Sequence, residues 1–232
     1  NLATAFLQSG QAASGTVVLE AAIAGEERVL GADHPDTFDS RKHLALAYAE
    51  LHGPDKAVGL FEQIVADRER VFGADHPDTV LSRRNVLQCR LSVAADYVSS
   101  DQWATAIELF EALLIDCAQV LDADDTVAVS ARNMLAGSYL QADNWVKAAE
   151  LYEQALVYEE RVLGADHDDT MTTRVLLATA YVATDQPAKA IELFQQVLAH
   201  RERVLGAHPD TVSTRETLAS LGATKRKSWW RK

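Results

Sequence analysis

The heptapeptide GADHPDT occupies residues 31–37 and recurs unchanged at 73–79; it returns as GADHDDT at 164–170 and, one residue shorter, as GAHPDT at 206–211. A chain that copies itself at fixed spacing folds as stacked versions of one supersecondary unit, and no other feature narrows the possible folds as far. The valine two residues before each loop sets the period: Val29, Val71, Val120, Val162 and Val204 are separated by 42, 49, 42 and 42 residues. The aromatics Phe6, Tyr48, Tyr97, Tyr139 and Tyr181 keep the same series. Leu19, Phe61, Phe110, Tyr152 and Phe194 follow them by thirteen residues, and Gly15, Ala57, Ala106, Ala148 and Ala190 by nine.

Within a unit the apolar spacing is helical. Leu44, Ala45 and Tyr48 share one face, as do Ala57, Leu60, Phe61 and Ile64 on the following segment, and strand-like alternation is absent. Each unit therefore reads as two antiparallel helices, with small residues (Ala45 and Ala57, Ala136 and Ala148) letting the axes approach while Tyr48 and Phe61 fill the space around them.

These positions resemble the tetratricopeptide repeat, in which Leu, Ala and an aromatic on a first helix meet Ala and an aromatic on a second. The 42-residue length and the G-x-x-H-P-D-T loop are similar to the kinesin-light-chain type, common also in bacterial multidomain regulators. The resemblance covers residues 1 to about 221. It implies an all-α fold, a right-handed α-solenoid superhelix. The expected repeats are 1–30, 35–72, 77–121, 124–163 and 167–205 in one solenoid over 1–224, with a capping helix at 208–222 and a basic tail at 225–232.

The loop itself reads as punctuation. Gly31 suits a helix C-cap, Pro35 a first helical turn, and Asp36 places negative charge at a helix N-terminus. A shared metal is excluded by distance: equivalent loops two helix diameters apart stand about 15–20 Å from one another, whereas ligands must lie at roughly 2 Å. His34, His76, His167 and His208 are expected to cap or pack. LDADDT at 121–126 lacks His and Pro yet keeps acids at the helix start.

One interval is seven residues long. RRNVLQC (83–89) and RLSVAAD (90–96) both place Arg first and apolar residues fourth and fifth, a heptad duplication within one first helix. Two added turns, about 10.5 Å, restore nearly the same face. That helix is expected to project, either as a tolerated duplication or as a contact for a partner. NLATAF at the start matches HLALAY at 43–48, so the chain is expected to be the C-terminal portion of a longer one. Leu2, Phe6 and Leu7 would then expose apolar surface, and self-association is one possible outcome.

The chain carries a net charge of −12; KRKSWWRK at 225–232 holds five positive charges and no acid, which leaves the first 224 residues at −17. Such a body repels a phosphate backbone, so no nucleic acid is expected on this region. No apolar run approaches the roughly 20 residues of a membrane span. Cys89 and Cys117 match no ligand spacing, and the setting is expected to be reducing and cytoplasmic. Candidate acids and histidines recur at repeat spacing, with no phosphate loop, nucleophile elbow or HExxH, so neither enzyme activity nor a cofactor is expected.

What the resemblance implies is binding of a peptide or protein on the concave side lined by first helices. The family's groove positions fall on Lys42, Leu46 and Glu50; on Gln88, Leu91 and Ala95; on Asn133, Gly137 and Gln141; and on Val175 and Thr179. Lys42 and Asn133 alone keep the Asn, Lys or Arg that grips backbones and carboxylates elsewhere in the family, so the expected groove is shallow and partly apolar. Arg41, Arg90, Arg132, Arg174 and Arg215 recur one position earlier. They either form a basic ladder into the groove or pair with acids of the second helices, which include Glu62, Asp67, Glu108, Glu111, Glu150, Glu153 and Glu192; pairing is the expectation. Trp103 and Trp145 read as packing residues, whereas Trp229 and Trp230 stand in the basic tail, either frayed or docked on an acidic surface. Two functional readings follow: a noncatalytic interaction scaffold, or a regulatory arm governing an ATPase or DNA-binding domain outside residues 1–232.

Overall fold

In a computed structural model the recurrent loops do separate helices. The model describes the backbone of residues 12–229 and the side chains of residues 15–222; NLATAF, with Leu2 and Phe6, the neighbouring Leu7, and Trp230 lie outside the described residues. Ten helices run through them: α1 (Ala12–Val29), α2 (Pro35–His52), α3 (Pro54–Phe72), α4 (Pro77–Ser99), α5 (Trp103–Val120), α6 (Thr126–Gln141), α7 (Trp145–Val162), α8 (Asp168–Ala183), α9 (Pro187–Leu205) and α10 (Pro209–Trp229). Odd-numbered members are second helices of a repeat and even-numbered members are first helices. There is no strand among the described residues.

Each start has a local cause. The Nδ1 of His34, His76 and His167 accepts the backbone N–H two residues on, at 3.2 Å, and His208 does so at 3.3 Å. That acceptor satisfies one of the free N–H groups of the first turn. In the divergent third loop Asp125 takes over, its Oδ1 accepting from Val127 N–H at 2.8 Å. The loops leave the preceding helix through left-handed glycines, Gly31 at φ +99° and Gly164 at φ +96°. Between the two helices of a repeat the left-handed position is filled by Gly53, then by Asp101, Asp143 and Asp185 at φ 56–57°; Asp tolerates that region better than most side chains.

The small residues do what the periodicity demands. Ala45, Ala57, Ala94, Ala106, Ala136, Ala148, Ala178 and Ala190 are wholly buried, and Phe61, Phe110, Tyr152 and Phe194 close around them. Burying each such aromatic stabilises the fold by about 1.5–3 kcal/mol. The marker valines are different: Val29 is 75 % exposed and Val204 59 %, so their recurrence belongs to the loop edge rather than to the core. Trp103 and Trp145 are half-buried at the first position of α5 and α7.

The contacts resolve two compact units, residues 1–131 and 132–232, with the division inside α6. In the first, α1 through α5 pack each against the next; in the second, α7 through α10 do the same. The helix α10 continues through residues 225–229, past the expected 208–222, because neither Gly nor Pro interrupts that stretch.

Candidate functional site

The joint between one repeat's second helix and the next repeat's first helix is built from bonds at fixed sequence offsets. Arg41 meets Glu27, Arg83 meets Glu69, and Arg174 meets Glu160, each fourteen residues apart and each at 2.6 Å; Arg215 meets Glu202 at 2.6 Å across thirteen, the last loop being one residue short. Further along the same pairs of helices, Tyr48 donates to Glu20 at 3.0 Å and Tyr181 to Glu153, both across twenty-eight residues. An index that rises by seven on one helix while falling by seven on the other is the signature of antiparallel packing in register. Loop acids add a latch: Arg70 binds Asp33 and Arg203 binds Asp166, both at 2.6 Å, and these hydrogen bonds hold both carboxyls below the ordinary range.

The duplicated heptad is absorbed by dividing one residue's work between two. Arg41 bridges Glu27 on α1 and Asp67 on α3. On the longer α4, Arg83 takes the Glu69 bond and Arg90, one heptad on, takes Asp116 of α5 at 2.5 Å, while also reaching Glu62 of α3. Arg83–Glu69 and Arg90–Glu62 thus keep α4 in register with α3, and Arg90–Asp116 ties the later turns to α5 as well. The added turns are packed, with Val86, Leu87 and Cys89 buried, and burial raises the Cys89 thiol.

Arg41, Arg90 and Arg174 therefore turn toward second helices. They lie along crevices between those helices, of about 410 Å³ beside Arg41 and Leu44, about 280 Å³ beside Arg83 and Arg90, and about 570 Å³ beside Arg174 and Met171. Arg132 is half-buried on α6. Arg84, from the same heptad, reaches the divergent loop, bonding Asp125 at 2.9 Å and Thr126 at 2.8 Å. Burial draws the Asp125 carboxyl upward, but hydrogen bonds from Arg84 and Val127 outweigh it and hold it low.

A second position in the joint changes sign from repeat to repeat. Three residues before the marker valines stand Glu26, Arg68, Cys117, Glu159 and Arg201, and fourteen or thirteen residues later stand Ser40, Ser82, Ala131, Thr173 and Thr214. Ser40 donates to Glu26 at 3.0 Å. Arg68 donates to Ser82 at 2.8 Å and to the Asp78 carbonyl at 3.1 Å, and Arg201 does the same with Thr214 at 2.7 Å and Asp210 at 3.1 Å. A hydroxyl serves either sign because it both donates and accepts. Sequence reasoning missed these acids and hydroxyls, although their constant offset from the arginines was the signal that could have found them.

The opposite faces of the first helices meet these joints at Asp39, which accepts from Arg68 at 3.5 Å, and at Asn133, and are otherwise open. On α2 the open stripe runs through Asp39, Lys42, Leu46 and Glu50, with Leu46 48 % exposed and Lys42 tied to Asp39 at 3.1 Å. On α4 it includes Leu81 and Gln88, with Ala95 half-buried, while Leu91 is buried. In the second unit the stripe holds Asn133, Met134, Gly137 and Gln141 on α6, then Thr172, Val175, Thr179 and Val182 on α8, and none of these carries a charge. Asn133 is half-buried and donates through Nδ2 to Glu159 at 3.1 Å; Thr179 bonds back to the Val175 carbonyl. A side chain at Gly137 would approach the Tyr152 hydroxyl at 3.6 Å, an ordinary contact.

Among the described residues no cluster of three His, Cys, Asp or Glu is placed to hold a metal ion, and no helix is long and apolar enough to cross a membrane. Tetratricopeptide repeat family models match residues 1–36 and 37–78 in one case and 126–203 in the other, about two thirds of the chain. The chain belongs to the tetratricopeptide repeat family. Similar solved structures include the nearly identical TPR-like repeats assigned to a Podosopora anserina kinesin light chain, at 27 % identity and a TM-score of 0.54 over 88 % of this chain and 93 % of that one. BtubC (BKLC) from P. vanneervenii aligns at 17 % identity and 0.56 over 89 % and 81 %. A tetratricopeptide sensor-bearing signal-transduction ATPase with numerous domains from Pyrococcus horikoshii aligns at 16 % and 0.50 over 97 % of this chain and 38 % of its own. No curated protein matches. The chain is thus an all-α tetratricopeptide solenoid with kinesin-light-chain-like neighbours, of a family that mediates protein–protein interaction.

Proposed function

We propose that this tetratricopeptide chain is a noncatalytic scaffold that binds a protein or peptide segment on the open stripes of its first helices. The observation that carries the reading is the division of labour between faces. Arginines, tyrosines and small residues are consumed in the joints, while Leu46, Met134 and Val182 remain 40–48 % exposed on the other side. Apolar side chains set among Asn, Gln and Thr offer both contact area and hydrogen bonding to an extended chain. Along α6 and α8 the stripe is uncharged, so the segment it fits there is uncharged too, in contrast to the acidic remainder.

Site-specific photo-crosslinking tests this reading. A photoreactive residue at Leu46, Met134 or Thr179 should capture a partner, and one at Ile115 or Val157, 64 % and 70 % exposed on second helices, should not. Crosslinks confined to the second-helix probes would overturn the assignment of the face. Under the alternative, a regulatory arm, the same first-helix crosslinks would form to an effector domain of its own polypeptide.

A further inference from the structure

Glu159 is the one acid of the second unit's joint that sits wholly inside the protein, 2 % exposed on α7. Its equivalents Arg68 and Arg201 place a guanidinium there, with a hydroxyl and a carbonyl as acceptors. Glu159 puts a carboxylate in the same position, and its bonds are unevenly met. Oε1 receives Asn133 Nδ2–H at 3.1 Å, and Thr173 adds a hydroxyl, but Oε2 has no partner. The Asn133 carbonyl Oδ1 is likewise buried without one. Two acceptors on a pair of side chains already joined by one hydrogen bond both lack a donor, and one proton on Oε2 supplies it.

We infer that Glu159 and Asn133 form a proton-operated latch: with Oε2 protonated they close into a cyclic acid–amide pair, Nδ2–H to Oε1 and Oε2–H to Oδ1, and on ionisation the second of these bonds is lost, leaving Asn133 held through Nδ2–H alone with its carbonyl against a bare carboxylate oxygen. The proton comes from solvent and returns to it, and no other bond is made or broken. An unpaired carboxylate in this position is costly because burial removes its hydration. The charged and titratable neighbours do not cancel that cost. On α8 the Asp169 carboxylate raises the Glu159 carboxyl and the capping His167 lowers it; on α7 Tyr152 is buried and Glu160 is engaged by Arg174; on α6 the facing group is the neutral Asn133. Burial is the largest influence; the hydrogen bonds from Thr173 and Asn133 oppose it, and the net effect is to raise Glu159. Thermodynamic sign follows: the folded form holds its proton more tightly than the unfolded chain, so stability from this pair is full below the ordinary glutamate value and is lost as pH rises through the elevated one.

The consequence for Asn133 rests on the binding face proposed above, whereas the titration can be read with no partner present. Carbon-13 NMR of the intact chain should show the Glu159 carboxyl titrating above the range of its exposed glutamates, with the Asn133 side-chain amide protons shifting at the same pH. Glu159→Gln replaces the acid–amide pair by a permanent amide–amide pair. Its melting temperature should exceed the wild type's at about pH 8 and converge with it at about pH 4, below the ordinary glutamate value. A Glu159 carboxyl that titrates with the exposed ones, an Asn133 amide that does not respond, or a wild-type pH profile unchanged in Glu159→Gln would each overturn the latch. Failure of the first-helix crosslinks with the titration intact would overturn the binding reading alone.

Discussion

The cap histidines work as acceptors, and that is a property of one nitrogen. In the third loop Asp125 fills the same position with a carboxylate oxygen, which shows that the loop needs an acceptor two residues before the bonded N–H rather than an imidazole. His76→Ala should lose about 1 kcal/mol, the usual worth of an N-cap, and His76→Asp should recover it; urea denaturation decides. If alanine and aspartate behave alike, the side chain acts by packing against Phe72, whose ring stacks on it at 4.8 Å, and not by capping. Asp125 carries a pH signature of its own. Held low in the folded state by Arg84 and Val127, it contributes stability above its unfolded value that is lost as pH falls through the folded one. Asp125→Asn keeps the cap and discards the charge, so the first unit should lose part of its acid sensitivity. Gly164 tests backbone alone: a Cβ there meets nothing within 4 Å, so any loss on Gly164→Ala, about 1–2 kcal/mol, comes from its φ of +96°.

Between elements, the same ion pair has different worth in different joints. Arg174–Glu160 and Arg215–Glu202 both measure 2.6 Å, yet the Arg174 side chain is 8 % exposed and that of Arg215 58 %. Removing the acid from a buried guanidinium leaves a charge without its counterpart, so Glu160→Gln should cost about 1.5–3 kcal/mol. Glu202→Gln should cost below about 1 kcal/mol, since water replaces the lost partner. Equal losses in a thermal-melt comparison would mean that burial does not set the strength of these joints. The pairing of the arginines was legible because acids abound on the second helices, with Asp67 and Glu62 among them, but the pairing with Glu27, Glu69 and Glu160 was not. The choice depends on antiparallel register, and that became visible only when Arg41–Glu27 and Tyr48–Glu20 could be laid side by side. The heptad duplication was legible as length and face; its division of Arg41's two bonds between Arg83 and Arg90 was not, since the sequence shows a repeated arginine without showing which neighbouring helix each turn will meet.

At the scale of the molecule, the helix pairs were legible throughout because period, aromatic and small-residue positions all repeat together. Of the residues proposed for the binding face, Lys42, Leu46, Gln88, Asn133 and Thr179 stand exposed or half-buried on first helices, with Leu91 the exception, since it is buried. The latch on Asn133 was not legible, because it depends on Glu159 standing where the corresponding repeats place arginine. Repeat proteins draw their stability from each unit and its nearest neighbours, so damage should stay local. Phe61, buried between α2 and α4, and Phe194, buried on α9, offer matched probes. Truncating either to alanine removes about 3–5 kcal/mol from its surroundings. Hydrogen exchange should then show Phe61→Ala stripping protection from α2, α3 and α4 while α8 and α9 keep theirs, and Phe194→Ala giving the reverse. Uniform loss in both variants would show that residues 1–131 and 132–232 open together, and the two units would have to be treated as one cooperative body.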